Sequence, residues 1–444
     1  MDSRFRGNDK SDVFARMNHA LGYCRTEADV SDRTNLRIDP QRLWNTLMET
    51  AEIGVTPKGG IRRLALSDED RRVRDWFRAQ CEALGCTVAV DEVGTMFATR
   101  PGRLDIPSVC MGSHLDTQPT GGKFDGNLGV LGGLEVLRTL HQADYQTNAP
   151  ITLVNWTNEE GSRFSPAMIA SAVFAGAFTA DYARAQKDRE GISFGEALDS
   201  IGYRGGEKAG ARKIGAMFEL HIEQGPILED EARMIGVVTG VQGIRWYEVT
   251  VRGQDAHTGA TPMRLRKNAL LGAARVMEAI EQIAVAHAPD AVGAVGLIEN
   301  RPNSRNVVPG EVFFTVDFRH PDDAVLLKME EEFRAALPRV LEPLGLTWDE
   351  KLVWHSPAVR FAPELIACVE RGAEKCGYAW RPMVSGAGHD AAYIARVAPT
   401  TMIFVPCAGG LSHNEAESTS FDECGAGAQV LLEAVLDYDR RLSA

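Results

Sequence analysis

No Cys-x-x-Cys pair occurs in this chain, and its eight cysteines, at 24, 81, 86, 110, 368, 376, 407 and 424, are spread thinly over 444 residues. That spread excludes a zinc ribbon or a disulfide-stapled scaffold, so the thiols read as reduced and partly buried. Positive charge is also in short supply: 48 Lys and Arg stand against 61 Asp and Glu, a net charge of −13. Nucleic acids and anionic membranes both demand a basic footprint, so neither is an expected partner. There is no apolar run of bilayer-spanning length; the most apolar stretch, Pro166 to Ala180, reads as a buried helix or core segment. The first forty residues are polar and contain no apolar core of signal-peptide length, which points to a cytoplasmic protein with a loosely ordered extension over residues 1–38. Internal repeats and low-complexity tracts are missing too. Ser385 lies in "VSGAG", not in a Gly-x-Ser-x-Gly elbow, which disfavours a serine hydrolase.

What is there is an ordinary globular composition, 44% hydrophobic and 25% charged, in a chain long enough for two domains. Helical patterns alternate with short apolar runs up to about residue 240, the signature of an α/β fold whose sheet carries helices on its faces. "SVCMGS" (108–113), "ITLVNW" (151–156), "AMFEL" (216–220) and "TMIFVP" (401–406) read as strands. Each is followed by acids or histidines: His114, then Glu159 and Glu160, then His221 with Glu223, then His413. Open α/β sheets bind ligands beyond the carboxyl ends of their strands, so these residues are expected on one edge.

The intervening segment follows other rules. "IRWYEVTVRG", "AVGAVGLIE", "EVFFTVDFRH" and "LTWDEKLVW" read as strands, with helices over "NALLGAARVMEAIEQIAVAH" and "DAVLLKMEEEFRAAL". This β-α-β-β-α-β order is the ferredoxin-like pattern. It places an inserted α+β domain at 241–357 within a catalytic domain formed by 39–240 and 358–444. Gly240 and Gly243, in "VTGVQGIR", offer a hinge between the two.

The loop "GSHLDTQPTGGKFDGNLGV" (112–130) holds His114, Asp116 and Asp125 among glycines, and turn formation alone would account for such a composition. Partners elsewhere change the balance: "NWTNEEGSRF" with Glu159 and Glu160, "ELHIEQG" with His221, and "LSHNEAES" with His413. Two histidines and two carboxylates could make one metal site; three histidines with Asp125 and Glu160 suit two ions sharing a bridging aspartate. Such ligands favour Zn, Mn, Co or Ni over Ca or Mg. Asp116 is placed to accept the ring proton of a ligating His114. Gly121, Gly122 and Gly126 would let Asp125 fold back toward His114. The adjacent glutamates could divide two tasks, one holding metal and the other moving a proton, or form a solvated acidic turn.

Together "GSHLDT…GGKFDG", "WTNEEGSRF", "HIEQG", "DAHTGATPM", "RPNSRNVVPG", "DFRH", "SGAGHDA" and "SHNEAES" resemble the M20 metallopeptidase clan. The resemblance runs in order over about residues 40–440. It is closest to the carbamoylase branch of N-carbamoyl-L-amino-acid hydrolases, β-ureidopropionases and allantoate amidohydrolases. It implies a di-metal catalytic domain with a mixed central sheet and an inserted lid and dimerisation domain. Two divalent ions are implied, one held by His114, Asp125 and His221, the other by Asp125, Glu160 and His413. Glu159 would be the general base. His257 would reach the partner subunit's site to stabilise a developing oxyanion, and Gln224, Asn306, Arg319 and the Gly388 backbone would hold substrate. Read alone, His257 is a surface-turn histidine, Asn306 a turn residue, and Arg319 half of a salt bridge with Asp317. His389, in "GAGHDA", is a structural cap or a site neighbour with no assigned role. Peptidases of the clan usually carry an acid at the His221 position, and "HIEQG" with Gln224 resembles the amidohydrolase version. The implied reaction is cleavage of R-NH-CO-NH2, a small ureido substrate bearing a carboxylate, by a homodimer. A dipeptidase or acylase of the clan, and a non-catalytic metal-binding scaffold, are the alternatives.

Overall fold

The computed structural model describes residues 35–442. The extension expected over 1–38 therefore falls outside the described residues except at its end, where Leu36 and Ile38 pack against the core. Gln429 holds them: its Nε2 donates to the Leu36 carbonyl at 3.1 Å and its Oε1 accepts the Ile38 N–H at 3.0 Å.

Strands β1 (Thr87–Val90), β2 (Met96–Arg100), β3 (Ser108–His114), β4 (Ile151–Trp156), β5 (Ile214–Ile222) and β6 (Ile235–Val241) come first. Then follow β7 (Gly243–Arg252), β8 (Ala256–His257), β9 (Val292–Ala294), β10 (Ile298–Arg301), β11 (Val307–Val308), β12 (Glu311–His320) and β13 (Thr347–Ser356). The last are β14 (Val359–Arg360), β15 (Trp380–Ser385) and β16 (Thr400–Val405).

The first and last groups make one mixed sheet in the order β1-β2-β4-β3-β5-β16-β6-β14, with β15 also on β6. Within it β4, β3, β5 and β16 are successive parallel neighbours, so their carboxyl ends share one edge. All six residues of β4 are buried, as a strand covered on both faces requires. Its side chains alternate between two cores. Ile151 and Leu153 join the larger one, and Val154 and Trp156 the smaller one on the other side, with Phe97 and Phe174. The larger core is roofed by the helices Asn127–Gln142 and Phe421–Asp439. The second of these starts at a capping box, Ser420 with Glu423, which satisfies N–H groups that the first turn would leave open.

In the middle group a separate antiparallel sheet runs β10-β12-β7-β13, with β9 also pairing β12, while β8 and β11 pair only with each other. Along β12 every second residue is buried, against the helices Ala269–Ala286 and Asp323–Leu341. The single strand expected over "AVGAVGLIE" is divided. From Ala294 to Ile298 the chain takes four steps while its partner takes three, from Asp317 to Phe314, so an extra residue bulges beside Gly296 and splits the run into β9 and β10. Among the described residues no helix is long and apolar enough to cross a membrane.

Candidate metal centre

The shared edge of β3, β4, β5 and β16 is where the expected residues gather. His114 is the last residue of β3, Glu159 and Glu160 follow β4, His221 lies near the end of β5, and His413 is on the loop after β16. Donor atoms of His114, Asp125 and His221 lie within 4.8 Å of one another, as do those of Asp125, Glu160 and His413. Asp125 belongs to both groups through different oxygens. Its Oδ1 is 3.6 Å from His114 Nε2 and 3.2 Å from His221 Nε2, while its Oδ2 is 3.5 Å from His413 Nε2. His413 Nε2 is also 3.5 Å from Glu160 Oε2.

The donor set fits two divalent ions. Ligands about 2.0–2.1 Å from a tetrahedral ion are about 3.3–3.4 Å from one another, close to the spacings around Asp125. Electrostatics agree. Burial and neighbouring carboxylates hold Glu159 and Glu160 well above the usual carboxylate range. Burial lowers His114 to about 4, leaving the neutral imidazole that a metal needs. His221 is raised to about 9 although burial opposes this, because Asp125 attracts a proton to it. A cation between the two would take that proton's place.

The loop glycines act differently from one another. Gly126 adopts φ 67°, and a Cβ there would come within 2.4 Å of the His114 ring, so only glycine lets Asp125 and His114 close up. Gly122 is needed for room instead: a Cβ would lie 2.1 Å from Glu417 Oε1.

Asp116 acts by another route than its spacing suggested. The ring Nδ1 of His114 faces the Asp116 backbone carbonyl at 2.9 Å, whereas the carboxylate is 4.0 Å away. The carboxylate turns instead to the loop after β4, accepting the Glu159 N–H at 3.2 Å and the Glu160 N–H at 3.3 Å. The unpaired backbone donors of that loop outcompete a ring that a carbonyl already serves.

Gln224 and Arg319 join Asp125, Glu160, His221 and His413 around a cavity of about 230 Å³, with Gly388 and His389 on its wall. Gln224 has φ 58° and His413 φ 54°, left-handed backbone of the kind that clusters at working sites. Gln224 Nε2 donates to Asp125 Oδ2 at 2.9 Å, and its Oε1 is buried without a partner among the described residues. Arg319 does form the salt bridge with Asp317, at 2.8 Å, yet its Nη1 also crosses to the Gly386 carbonyl at 2.8 Å. His257 and Asn306 are not brought to this cavity. They sit together where β8 pairs with β11, both exposed, with Thr258 N–H donating to the Asn306 carbonyl at 3.1 Å. His257 Nδ1 accepts N–H groups of Gly259 and Ala260, each at 3.0 Å, so its ring proton belongs on Nε2. His389 makes no side-chain cap to its helix; it is buried, its ring centroid 4.6 Å from that of His221 and its Nε2 2.9 Å from Ser385 Oγ.

Two supporting acids escaped the sequence reading. Glu417 accepts N–H groups of Phe124 at 3.1 Å and Asp125 at 3.0 Å on one oxygen, and on the other faces Ser412 Oγ at 3.1 Å. Glu219, two residues before His221 on the same face of β5, accepts from Ser113 Oγ at 2.7 Å and Ala391 N–H at 3.0 Å. Strand alternation could have found Glu219. Glu417 lay within a quoted motif, but nothing local tied it to Asp125.

Residues 110–437 match peptidase family M20/M25/M40. The chain is 54% identical to an N-carbamoyl-L-amino-acid amidohydrolase of Rhizobium meliloti, over 91% of this chain and 97% of that one. It is 34% identical to the allantoate amidohydrolase of Escherichia coli K12, over 88% and 96% of the two chains. Among solved structures, an amidase of the hydantoinase/carbamoylase family from Burkholderia multivorans superposes with a TM-score of 0.89 at 53% identity, covering 90% of this chain and 98% of that one.

Proposed function

Because the chain belongs to peptidase family M20/M25/M40, in its hydantoinase/carbamoylase branch, we propose that it hydrolyses the ureido group of an N-carbamoyl-L-amino acid. Water is consumed, and the amino acid, ammonia and carbon dioxide are released. The enzyme is a hydrolase of non-peptide C–N bonds.

The observation that carries the reading is the division of Asp125, one oxygen toward His114 and His221 and the other toward His413. His114, Asp125 and His221 would hold one divalent ion, and Asp125, Glu160 and His413 a second, drawn from Zn, Mn, Co or Ni. When bound, the ions supply Lewis acidity to a water molecule and to the ureido carbonyl. Glu159, 3.5 Å from His114 and outside both ligand groups, takes the proton from that water and later gives it to the departing nitrogen. Burial and the neighbouring carboxylates raise its affinity for a proton, which lets it hold one between the two halves of that task. Gln224 Oε1, buried and without a donor among the described residues, accepts an N–H of the ureido group. Arg319 grips the substrate carboxylate with its planar guanidinium.

His257 and Asn306 enter from a second copy of the chain. Both are exposed on the separate antiparallel unit, and neither lines the 230 Å³ cavity of its own chain. With Nδ1 satisfied, the Nε2–H of His257 is the donor for charge developing on the ureido oxygen. On this reading the inserted unit is both lid and dimerisation domain.

The test is ammonia release after chelation and reloading with Mn, Co or Zn, using N-carbamoyl-L-amino acids, β-ureidopropionate, allantoate and a dipeptide. Metal-dependent turnover of carbamoyl amino acids is expected. Cleavage of the dipeptide alone would move the chain to the peptidase branch and overturn the role given to Gln224.

A further inference from the structure

Residues 54–63 lie between the helices Pro40–Ala51 and Asp68–Ala83 and supply no metal ligand, yet they touch the chain beside three of the five. At one end of the segment Thr56 Oγ1 donates to Glu415 Oε1 at 2.5 Å, and Lys58 Nζ lies 3.7 Å from Glu415 Oε2, two residues beyond His413. In its middle, Ile61 and Gly121 exchange backbone hydrogen bonds of 2.9 and 3.1 Å at the start of the loop that leads to Asp125. Gly60 is squeezed between the two contacts: a Cβ there would lie 2.5 Å from the Gly121 carbonyl oxygen and 2.8 Å from Glu415 Cα. At the other end the Arg63 N–H donates to Thr117 Oγ1 at 2.9 Å and its carbonyl accepts the Thr117 N–H at 2.8 Å, three residues past His114.

The side chain of Arg63 completes these contacts. It is fully buried, and its hydrogen-bond partners are neutral: Nε donates to the Leu115 carbonyl at 2.7 Å, Nη1 to the Thr50 carbonyl at 3.1 Å, and Nη2 to Asn127 Oδ1. Asn127 Nδ2 in turn donates to the Asp125 carbonyl at 3.0 Å. A buried guanidinium is costly unless its donors are satisfied, and its rigid fork holds the groups that satisfy it at fixed angles, which a lysine cannot do. One buried fork thus joins the residue after His114 to the residue that holds the Asp125 backbone.

From these contacts we infer that residues 54–63 are a clasp for the metal centre, with Arg63 as its chief positioning residue. The inference rests on the two ligand groups proposed above, and it assigns the two ends of the clasp different effects. Arg63 sets His114 against Asp125, and Asp125 belongs to both groups, so this end acts on both ions. Thr56 reaches the loop of His413 alone, so that end acts on the ion of Asp125, Glu160 and His413.

The test titrates the metal-free protein with cobalt against a competing chelator, reading the affinity of each ion together with its visible absorption. Arg63→Lys keeps the charge and removes the fork; it should weaken both ions by roughly 10- to 100-fold. Thr56→Val keeps the shape of a half-buried side chain and should weaken one ion several-fold while the other stays at its parental affinity. Thermal unfolding of the metal-free proteins accompanies each titration, and if Arg63→Lys does not fold, Thr56→Val alone decides. Parental affinity for both ions in either folded variant, or equal weakening of both by Thr56→Val, would overturn the clasp and leave the metal centre standing. A parent protein that binds fewer than two cobalt ions would remove the paired ligand groups, and the clasp with them.

Discussion

Removing the Glu417 side chain should weaken the metal centre without touching any metal ligand. The carboxylate is buried and accepts the backbone N–H groups of Phe124 and Asp125 on one oxygen, while its other oxygen faces Ser412, the neighbour of His413. It thereby ties the loop of the shared aspartate to the loop of the third histidine. Hydrogen bonds to a charged acceptor are worth roughly 1.5–3 kcal/mol each, and Glu417→Ala leaves two donors without one, so the cost in stability is about 3–6 kcal/mol while the carboxylate is ionised. Loss of such an outer support lowers metal affinity by roughly 10- to 100-fold. Glu417→Gln keeps an acceptor oxygen for the two N–H groups and should recover most of both effects. The assay is titration against a competing chelator, with thermal unfolding of the metal-free and loaded proteins. Because Asp125 faces both ligand groups, the two ions should weaken together. An Ala variant that unfolds earlier yet binds both ions with parental affinity would refute the reasoning and reduce Glu417 to a packing residue.

Glu159→Gln should lower kcat by about 10²–10⁴ while the bound metal is unchanged, as checked by elemental analysis; parallel loss of metal would contradict its role as the proton carrier. Arg319→Lys replaces a fork with a point charge and should raise KM about tenfold or more, with kcat changed much less; an equal fall in kcat would place the guanidinium in the chemistry rather than in binding. Just after β1, Asp91 accepts N–H groups of Val93 and Thr95 on one oxygen, and its other oxygen is buried without a partner among the described residues. Burial raises its pKa from 3.8 to about 7, so the protonated form is the stabilising one; its contribution is full below about pH 4 and lost as pH rises through 7. Asp91→Asn keeps the acceptor, so denaturation should show the variant gaining stability over the parent between about pH 4 and 7; a constant difference across that range would refute the assignment.

Much of this was legible in the chain. The four strands that carry the site are short apolar runs, and each was recognisable because a strand covered on both faces has little room for polar residues. The residues that gather at the shared edge were mostly legible because His114 and His221 end or nearly end such runs and Glu159 and Glu160 closely follow one, whereas Asp125 and His413 lie further along their loops. What escaped depends on contacts distant in sequence: Glu417 reaches Asp125 across nearly three hundred positions, a separation of 292 residues. The bulge that splits β9 from β10 was hidden for a related reason. Strand periodicity sees one chain at a time, whereas a bulge is a mismatch in length between two.

Asp116 shows how the two kinds of information combine. Its spacing from His114 suggested a carboxylate serving the imidazole, but the carbonyl does that and frees the side chain for β4's loop. There its two oxygens take the N–H groups of Glu159 and Glu160, one each, and fix the peptide that joins them. Consecutive side chains on a fixed peptide diverge, so Glu160 comes to His413 while Glu159 comes to His114, each at 3.5 Å. Two chemically equivalent glutamates thus acquire different surroundings from one backbone clamp. The pair in the sequence announces that two carboxylates are available; the clamp decides which one can join the metal ligands and which can carry a proton.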